Sequence, residues 1–229
     1  MKISIRLLVI AVLFVTCLLT ANIIGSKIFS IASFNLPAAV IVFPFSYIFG
    51  DILTEVYGYK TARQIIWLGF LCNLIFVMFA WVGQLLPPAS FWNDQAAYKT
   101  ILGYTPRLLA ASFAGYFVGE FANSFVLAKM KVFTKGRWLW SRTIGSTIVG
   151  EGLDTVIFIF GAFYGTPSFA IALIMNHWVA KVGIEVLLTP ATYTVVNSLK
   201  KSEGIDIYDT TTNFSPLAFR DKQPKPDTK

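Results

Sequence analysis

The chain has 229 residues, of which 55% are hydrophobic and 14% are charged, and its mean hydropathy is +0.64. A typical soluble domain carries about 25% charged residues, so this composition disfavours a soluble enzyme, a secreted disulfide scaffold and a disordered chain. It is typical of an integral membrane protein, and at roughly 20 residues per transmembrane helix the chain has room for about six. Cys17 and Cys72 lie inside apolar runs, so we interpret them as small hydrophobic residues and predict no disulfide and no metal site.

Six apolar segments reach or approach the length needed to cross about 30 Å of hydrocarbon. In chain order they are 7–24, 28–50, 65–86, 108–128, 143–164 and 169–197. The second contains Pro37 and Pro44 and the sixth contains Pro190, and proline usually kinks a membrane helix and frees a backbone carbonyl. The sequence therefore predicts an all-α bundle of six transmembrane helices over residues 1–199, followed by a largely disordered cytoplasmic tail over 200–229.

The basic residues are concentrated on one side of these predicted spans. Of the 19 lysines and arginines, 15 fall in the N-terminal segment, the second and fourth connections and the C-terminal tail. An excess of basic residues marks the cytoplasmic side, so both termini are expected there. The net charge of +7 is then a topology signal, and the expected partner is the lipid bilayer and not nucleic acid.

Six of the 12 acidic residues lie inside or at the edge of a predicted span: Asp51, Glu55, Glu120, Glu151, Asp154 and Glu185. An ionised side chain at the centre of a membrane helix costs roughly 2.5–3.5 kcal/mol on insertion scales, so six facing lipid would cost on the order of 15 kcal/mol. Total folding stability is only about 5–15 kcal/mol. These carboxyl groups are therefore expected to face the bundle interior, pair with other groups, share protons or meet water.

Three of the carboxyl groups are expected at a common depth. Asp51, Glu120 and Glu151 each lie nine residues from a basic residue at the predicted cytoplasmic border, which corresponds to about 13 Å at 1.5 Å per residue. Helical spacing places Glu55, Asn123 and Asp154 on the same faces as these three residues. Carboxyl groups from three helices at one level predict a binding site.

A short sequence similarity links two of these helices. Residues 118–124 (VGEFANS) resemble residues 149–155 (VGEGLDT), and the two segments lie on neighbouring predicted helices of opposite direction. Such a pair is typical of an inverted repeat around a central site. The glycines also have a purely structural explanation, because glycine allows helices to pack closely.

The sixth predicted span carries His177, Lys181 and Glu185 on one face, at positions i, i+4 and i+8. One interpretation is a buried Lys181–Glu185 pair that only neutralises charge. The other interpretation is a gate or charge relay that also includes Glu55. In it, Lys181 is the counter-ion of the acidic residues, and His177 titrates near physiological pH.

The chemistry of these residues favours transport over catalysis. A nucleophile elbow, a Cys–His pair and a His-rich metal spacing are missing, so we expect neither an enzyme nor a cofactor. The cluster supplies mostly acceptors, and a carboxylate accepts two parallel N–H bonds, as the edge of a guanine-like base would donate them. An amide of Asn22 or Asn123 can meet a carbonyl. Nearby aromatic residues, namely Phe43, Phe45, Tyr47 and Tyr57, can stack on a flat ring.

The residues also resemble a known family. The motifs are 22–27 (NIIGSK), 43–45 (FPF) followed by Asp51, 55–58 (EVYG) through Ala62-Arg63, Gly119-Glu120 with Asn123, Ser146-Thr147 with Gly150-Glu151 and Asp154, and Lys181. Together they are similar to the VUT family, the queuosine precursor transporters, over about residues 20–200. In the pattern of that family Asp51, Asp154 and Lys181 are firm, whereas positions 55, 120 and 151 vary.

The resemblance implies a six-helix protein of the bacterial inner membrane that imports deazaguanine precursors of the tRNA base queuosine, such as 7-cyano- and 7-aminomethyl-7-deazaguanine. The substrate site would comprise Asn22, Phe45, Asp51, Glu120, Asn123, Glu151 and Asp154. An alternative is a substrate-binding membrane subunit that needs ATPase partners, as in ECF-type vitamin importers, and a third is a structural assembly protein without a solute. The preferred precursor, the energy source and the oligomeric state, including a homo-oligomer, stay open.

Overall fold

The computed structural model describes residues 4–31, 34–103, 106–165, 169 and 171–218, and most of this part of the chain is helical. The elements in chain order are α1 (Ile5–Ile24), β1 (Ile28–Ile31), β2 (Phe34–Pro37), a 3₁₀ turn (Ala38–Ile41), α2 (Phe43–Leu85), α3 (Gln95–Leu102), α4 (Pro106–Phe133), α5 (Leu139–Phe163) and α6 (Ile171–Glu203). The prediction of a helical membrane protein is confirmed at this level.

Four helical stretches of the described residues are long and apolar enough to cross a membrane: Ile5–Ile24, Ala38–Leu85, Leu139–Phe163 and Ile171–Glu203. In their most apolar windows only 17% to 44% of the residues are buried inside the protein. Apolar surface this extensive is unusual on a water-soluble monomer and suits contact with hydrocarbon. The count of six spans stays a prediction.

The second predicted span, 28–50, is not one helix, and this prediction was wrong. Its first part is an antiparallel hairpin in which Ile28 pairs with Pro37, and α2 begins only at Phe43. The two prolines explain the difference. A proline has no N–H for a helix interior and disfavours a helical residue before it, whereas Pro44 occupies the first turn of α2, where no N–H is needed.

Helix α2 is interrupted at Gly58, which has φ 81° and ψ 163°. This conformation is essentially restricted to glycine. It divides α2 into a first limb, 43–57, and a second limb, 59–85. Residues 51–64, expected to connect two spans, therefore form the ends of two helical limbs joined by a single non-helical residue.

The two limbs run in opposite directions along α4. For the first limb, the residue numbers in contact increase together in the two helices, so this limb runs parallel to α4. For the second limb, the residue numbers decrease as those of α4 increase, so this limb runs antiparallel to α4. The contacts are Asp51–Asn123 and Thr54–Ser124 for the first limb, and Ile66–Tyr116 and Phe70–Phe113 for the second. The chain thus reverses direction at Gly58.

The start of α1, the end of α6 and the Gly58 break lie at one end of the bundle, which we call the terminal end. Ser4 Oγ donates a hydrogen bond to Glu203 Oε1 at 2.7 Å, and Tyr57 Oη donates to Glu203 Oε2 at 3.0 Å. The hairpin, which follows the other end of α1, lies at the far end of the bundle. The long α2 reversal therefore carries the chain from the far end to the terminal end and back.

Residues 204–217 differ from the expected disordered tail. Helix α6 continues to Glu203, and the following segment packs against the second limb of α2. Arg63 Nη1 donates to the carbonyl oxygens of Asn213 and Ser215 at 2.7 and 3.0 Å, and Trp67 Nε1 donates to that of Pro216 at 2.9 Å. Because side chains of α2 satisfy the backbone of this segment, it needs no periodic pattern of its own. Residues 219–229 of the predicted tail lie outside the described residues.

Candidate functional site

A cavity of about 240 Å³ lies toward the far end of the bundle. Every helix and the link after the hairpin contribute to its wall. Its polar lining comprises Asn22, Ser26, Tyr47, Asn73, Thr100, Ser112, Tyr116, Asp154, Thr155, His177 and Lys181. Its apolar lining includes the aromatic rings of Phe43 and Phe158. A mostly apolar pocket with a few converging polar groups is the usual form of a small-molecule site.

An ion triad forms part of the cavity wall. Lys181 Nζ on α6 lies 2.6 Å from Glu151 Oε2 and 2.8 Å from Asp154 Oδ2, both on α5. Lys181 also lies 4.6 Å from the centre of the Phe43 ring, within cation–π range. Asp154 and Lys181 line the cavity, whereas Glu151 is 1% exposed and lies behind them. The triad therefore offers a ligand both a carboxylate and an ammonium group.

Further carboxyl groups lie behind this wall and form, with the triad, what we call the acidic layer. Its members are Asp51, Glu120, Asn123, Glu151, Asp154, Lys181 and Glu185, and each is buried. Asn123 Nδ2 donates to Asp51 Oδ1 at 2.7 Å, and the Asp51 and Glu185 carboxyl groups interact. Thr147 Oγ1 donates to Glu185 Oε1 at 2.5 Å.

Glu120 is the least satisfied member of the acidic layer. It is fully buried, and neither of its carboxyl oxygens has a hydrogen-bond partner among the described residues. A buried polar group without a partner is costly. Its electrostatic neighbours are Glu151, Asp154, Glu185 and Lys181, so three of the four carry a carboxyl group.

Three glycines let α4 and α5 approach closely enough to place these groups. A Cβ atom at Gly115 would lie 2.6 Å from Asp154 Oδ1, and one at Gly119 would lie 2.7 Å from Asp154 Cβ. A Cβ at Gly150 would lie 2.6 Å from Asn123 Cβ. Gly119 and Gly150 also face each other, since each Cβ would come within 2.9 Å of the carbonyl oxygen of the other. The two similar segments therefore meet at equivalent glycines, and the inverted repeat stays a prediction.

The structure brings together most of the residues expected from the sequence. The acidic layer contains seven of them, and Asn22 and His177 join Asp154 and Lys181 in the cavity lining. Phe45 lies elsewhere: its side chain is 42% exposed and is not part of the cavity lining. Of the other aromatic residues named for stacking, Phe43 and Tyr47 line the cavity.

Glu55 also lies apart from the acidic layer, in a second ion cluster at the terminal end. It is fully buried, and its Oε1 accepts hydrogen bonds from Arg142 Nη2 at 2.7 Å and Lys200 Nζ at 2.6 Å. Lys131 Nζ lies 3.8 Å from the same oxygen and 2.5 Å from Asp206 Oδ1. Asp206 also pairs with Lys200 at 2.9 Å. We call these five residues the Glu55 cluster.

Asp206, which follows α6, has a shifted pKa. Partial burial raises the pKa of this carboxyl group, but hydrogen bonds from Lys131 and Lys200 and the charges of these two residues outweigh burial. The net effect holds the pKa of Asp206 below its ordinary value. The charged form of Asp206 is therefore the one that the Glu55 cluster stabilises.

Several polar residues of the cavity were missed by the sequence argument, chiefly Asn73, Ser112, Tyr116 and Thr155. Asn73 had a usable signal, because it is an isolated amide in the apolar run 65–82 of the second limb of α2. The serine, threonine and tyrosine residues carried no such sequence signal, because these residues are common in membrane helices that bind no ligand.

A helical bundle with charged groups buried at the wall of a cavity is typical of a membrane transporter for a small polar molecule. Comparison with known proteins agrees with this class: a family model described as "Putative vitamin uptake transporter" matches residues 37–195. The chain belongs to this vitamin uptake transporter family, and the resemblance noted from the sequence motifs is confirmed.

Curated relatives carry more specific names. A "Probable queuosine precursor transporter" of Bacillus subtilis (strain 168) is 31% identical over 157 residues, which are 67% of this chain and 68% of the relative. The "Queuosine precursor transporter" of Escherichia coli (strain K12) is 27% identical over 149 residues, 65% of this chain and 63% of the relative. A Haemophilus influenzae relative with a "Probable" form of the same name is 26% identical over 64% of this chain and 58% of its own length. No solved structure matches this chain.

Proposed function

We propose that this protein imports a deazaguanine-type precursor of queuosine, such as 7-cyano- or 7-aminomethyl-7-deazaguanine, across a bacterial cytoplasmic membrane. The observation that carries the proposal is the Asp154–Lys181 pair in the wall of a cavity beside aromatic rings. The names of the three relatives support the substrate class.

The cavity chemistry suits the hydrogen-bonding edge of such a base. The Asp154 carboxylate accepts paired N–H donors, and the Lys181 ammonium donates to an adjacent carbonyl oxygen. Phe43 and Phe158 provide flat apolar surface for the ring system. The volume of about 240 Å³ is slightly below the range of about 300–1,000 Å³ for drug-sized ligands, which suits a small bicyclic heterocycle.

Proton coupling would supply the energy for uptake. The acidic layer holds five carboxyl groups beside the ammonium group of Lys181, and unpaired anions in a membrane interior are costly. Protons that enter and leave with the substrate would relieve this excess of negative charge. We therefore propose secondary active transport, with Glu120 as the carboxyl group whose protonation changes during the cycle because its oxygens have no partner among the described residues.

We infer the topology from the positions of the helix ends and of the basic residues. Counting the two limbs of α2 separately gives six long helical segments among the described residues, with the start of α1 and the end of α6 at the terminal end. The basic residues of that end support a cytoplasmic location for it. The cavity, on the far side of the Glu55 cluster, would then be the site that receives substrate from outside the cell.

Reconstituted protein tests the proposal. The purified chain in liposomes should take up labelled precursor, faster when the outside is more acidic than the inside. Asp154→Asn and Asp51→Asn should each abolish uptake while the protein still inserts and stays monodisperse. Asp94→Asn is the matched control, because Asp94 is exposed and caps α3 without a side-chain hydrogen bond, so its uptake should equal that of the unmodified chain.

The outcome also separates the alternatives. Normal uptake by both Asp154→Asn and Asp51→Asn would remove these two carboxylates from the mechanism. Binding without transport by the purified chain would favour the substrate-binding subunit of an ATP-driven importer, and neither binding nor transport of any precursor would refute the proposed substrate class.

A further inference from the structure

We propose that Asn73 is a specificity-determining residue of the cavity, held in orientation by Asn22, and that it selects substrates with a hydrogen-bond acceptor on the edge that faces α1 and α2. The inference rests on the proposed function and adds to it a rule for which substrates are preferred. Asn73 is an amide in an otherwise apolar run, 65–82.

Asn73 lies in the second limb of α2, is 1% exposed and lines the cavity. Transfer of an amide into an apolar environment is costly unless its polar atoms find partners. A leucine or phenylalanine, like its neighbours in 65–82, would avoid this cost. An amide at this position therefore needs partners on both its oxygen and its nitrogen.

One of those partners is Asn22, on α1. Asn22 Nδ2 donates to Asn73 Oδ1 at 2.6 Å, and both residues line the cavity. This bond engages the oxygen of Asn73 and orients its amide. Within the part of the chain that the structure describes, Asn73 Nδ2 donates to no protein group. The amide nitrogen thus has its N–H donors left for a ligand, and it can only donate.

The cavity therefore has two chemically distinct polar walls. The wall from α5 and α6 presents the Asp154 carboxylate and the Lys181 ammonium. The wall from α1 and the second limb of α2 presents the Asn73 amide, oriented by Asn22. A flat ligand whose donor edge meets Asp154 can place another edge against Asn73, and an N–H donor on the protein requires an acceptor there.

This rule discriminates between heterocycles that differ in one substituent. A nitrile nitrogen or a ring carbonyl on that edge accepts a hydrogen bond from Asn73. An aminomethyl group, which is an ammonium ion at neutral pH, would set a donor against a donor and leave both unpaired. A buried donor left unpaired is costly, so the nitrile-bearing substrate should be preferred about tenfold in apparent affinity, which corresponds to about 1.4 kcal/mol.

The test is Asn73→Asp, which keeps an oxygen for the hydrogen bond from Asn22 and replaces the amide nitrogen with an acceptor. Uptake into liposomes and binding to the detergent-solubilised protein are measured with 7-cyano- and 7-aminomethyl-7-deazaguanine. The unmodified protein should prefer the nitrile. Asn73→Asp should raise the KM for the nitrile about tenfold with a smaller change in maximal rate, and should invert the preference toward the aminomethyl compound.

Two further variants make the result specific. Asn22→Leu leaves the Asn73 amide in place without its orienting partner, so it should weaken the preference without inverting it. Asn197→Asp makes the same chemical change on an exposed face of α6 and should leave both the KM values and the preference unchanged. If Asn73→Asp is not recovered as a monodisperse protein, Asn73→Leu removes the donor without adding charge and should abolish the preference.

Each outcome addresses a separate claim. Preference and KM unchanged in Asn73→Asp or Asn73→Leu would overturn the role of Asn73 and leave the transport proposal intact. A shift of equal size in Asn197→Asp would also overturn it, because the effect would then be a general one of added charge. Failure of the unmodified protein to transport or bind either compound would instead refute the proposed function.

Discussion

Replacing Gly58 with alanine tests whether the reversal in α2 depends on glycine and on the packed segment 204–217. The backbone at Gly58, with φ 81° and ψ 163°, lies in a region that costs a residue with a side chain about 1–3 kcal/mol. The new Cβ would also lie 2.6 Å from Ile207 Cγ2, so Ile207 must move. Ile207 N donates to the Val56 carbonyl oxygen at 3.3 Å, and losing that bond costs about 0.5–1.5 kcal/mol more.

Together these effects should destabilise the protein by about 1.5–4.5 kcal/mol. At about 2–4 °C per kcal/mol for a chain of this size, the melting temperature of the detergent-solubilised protein should fall by at least about 3 °C. Limited proteolysis should then cut within 204–217, because the segment loses its contact with the Gly58 break. Gly183→Ala is the control: a Cβ there meets nothing within 4 Å inside α6, so its stability should be unchanged or slightly higher.

A double variant separates the two costs. Ile207→Ala combined with Gly58→Ala removes the branched side chain that the new Cβ would strike, but the backbone strain stays. The pair should therefore be less destabilised than the sum of the two single variants. The reasoning would be refuted by a Gly58→Ala protein that melts at the same temperature as the unmodified chain and is not cut by protease within 204–217. Neither the strain nor the contact would then exist.

Three further predictions concern the two polar regions. The pKa of Asp206 is lower in the folded protein than in the unfolded chain, so Asp206 stabilises the fold above its unfolded pKa of about 3.9, and this stabilisation is lost as the pH falls through the folded pKa. Acid should therefore expose 204–217 to protease. Asp206→Asn should remove this component of the pH dependence. Gly115→Ala places a Cβ 2.6 Å from Asp154 Oδ1 and should reduce uptake at least tenfold, whereas Gly152→Ala, whose nearest contact is an ordinary 3.4 Å, should not. Glu120→Gln should keep substrate binding, measured in detergent, but lose the stimulation of uptake by a pH gradient, and stimulation equal to that of the unmodified chain would exclude Glu120 as the coupling group.

The acidic layer could be predicted from the sequence because its argument needs no tertiary detail. The cost of carboxyl groups in hydrocarbon forces them inward, and counting residues from the basic borders gives their depth. The 2.7 Å contact between Asp51 and Asn123 joins two helices that this counting placed at one level. The substrate-binding and gating roles assigned to these residues stay predictions.

Other features depend on partners that a single sequence does not identify. The apolar run 28–50 has the composition of a span whether it forms a helix or a hairpin, and only its prolines hinted at the difference. Residues 204–217 have no helical or strand periodicity, and their order depends on donors from Arg63 and Trp67. Phe43 and Phe45 are equivalent in the sequence, and the start of α2 decides which ring meets the cavity.

Glu55 and Glu120 illustrate why burial alone does not define a functional carboxylate. Both are glutamates in long apolar helices, both are fully buried, and the cost of burial applies equally to each. Glu55 is matched by cations from α4, α5 and α6, which joins these helices at the terminal end. Glu120 lies instead among other carboxyl groups, with both oxygens unpartnered among the described residues. A carboxylate paired with cations stabilises the fold, so neutralising Glu55 should chiefly reduce stability. A carboxyl group without a partner responds to a proton or a ligand, so neutralising Glu120 should chiefly affect transport.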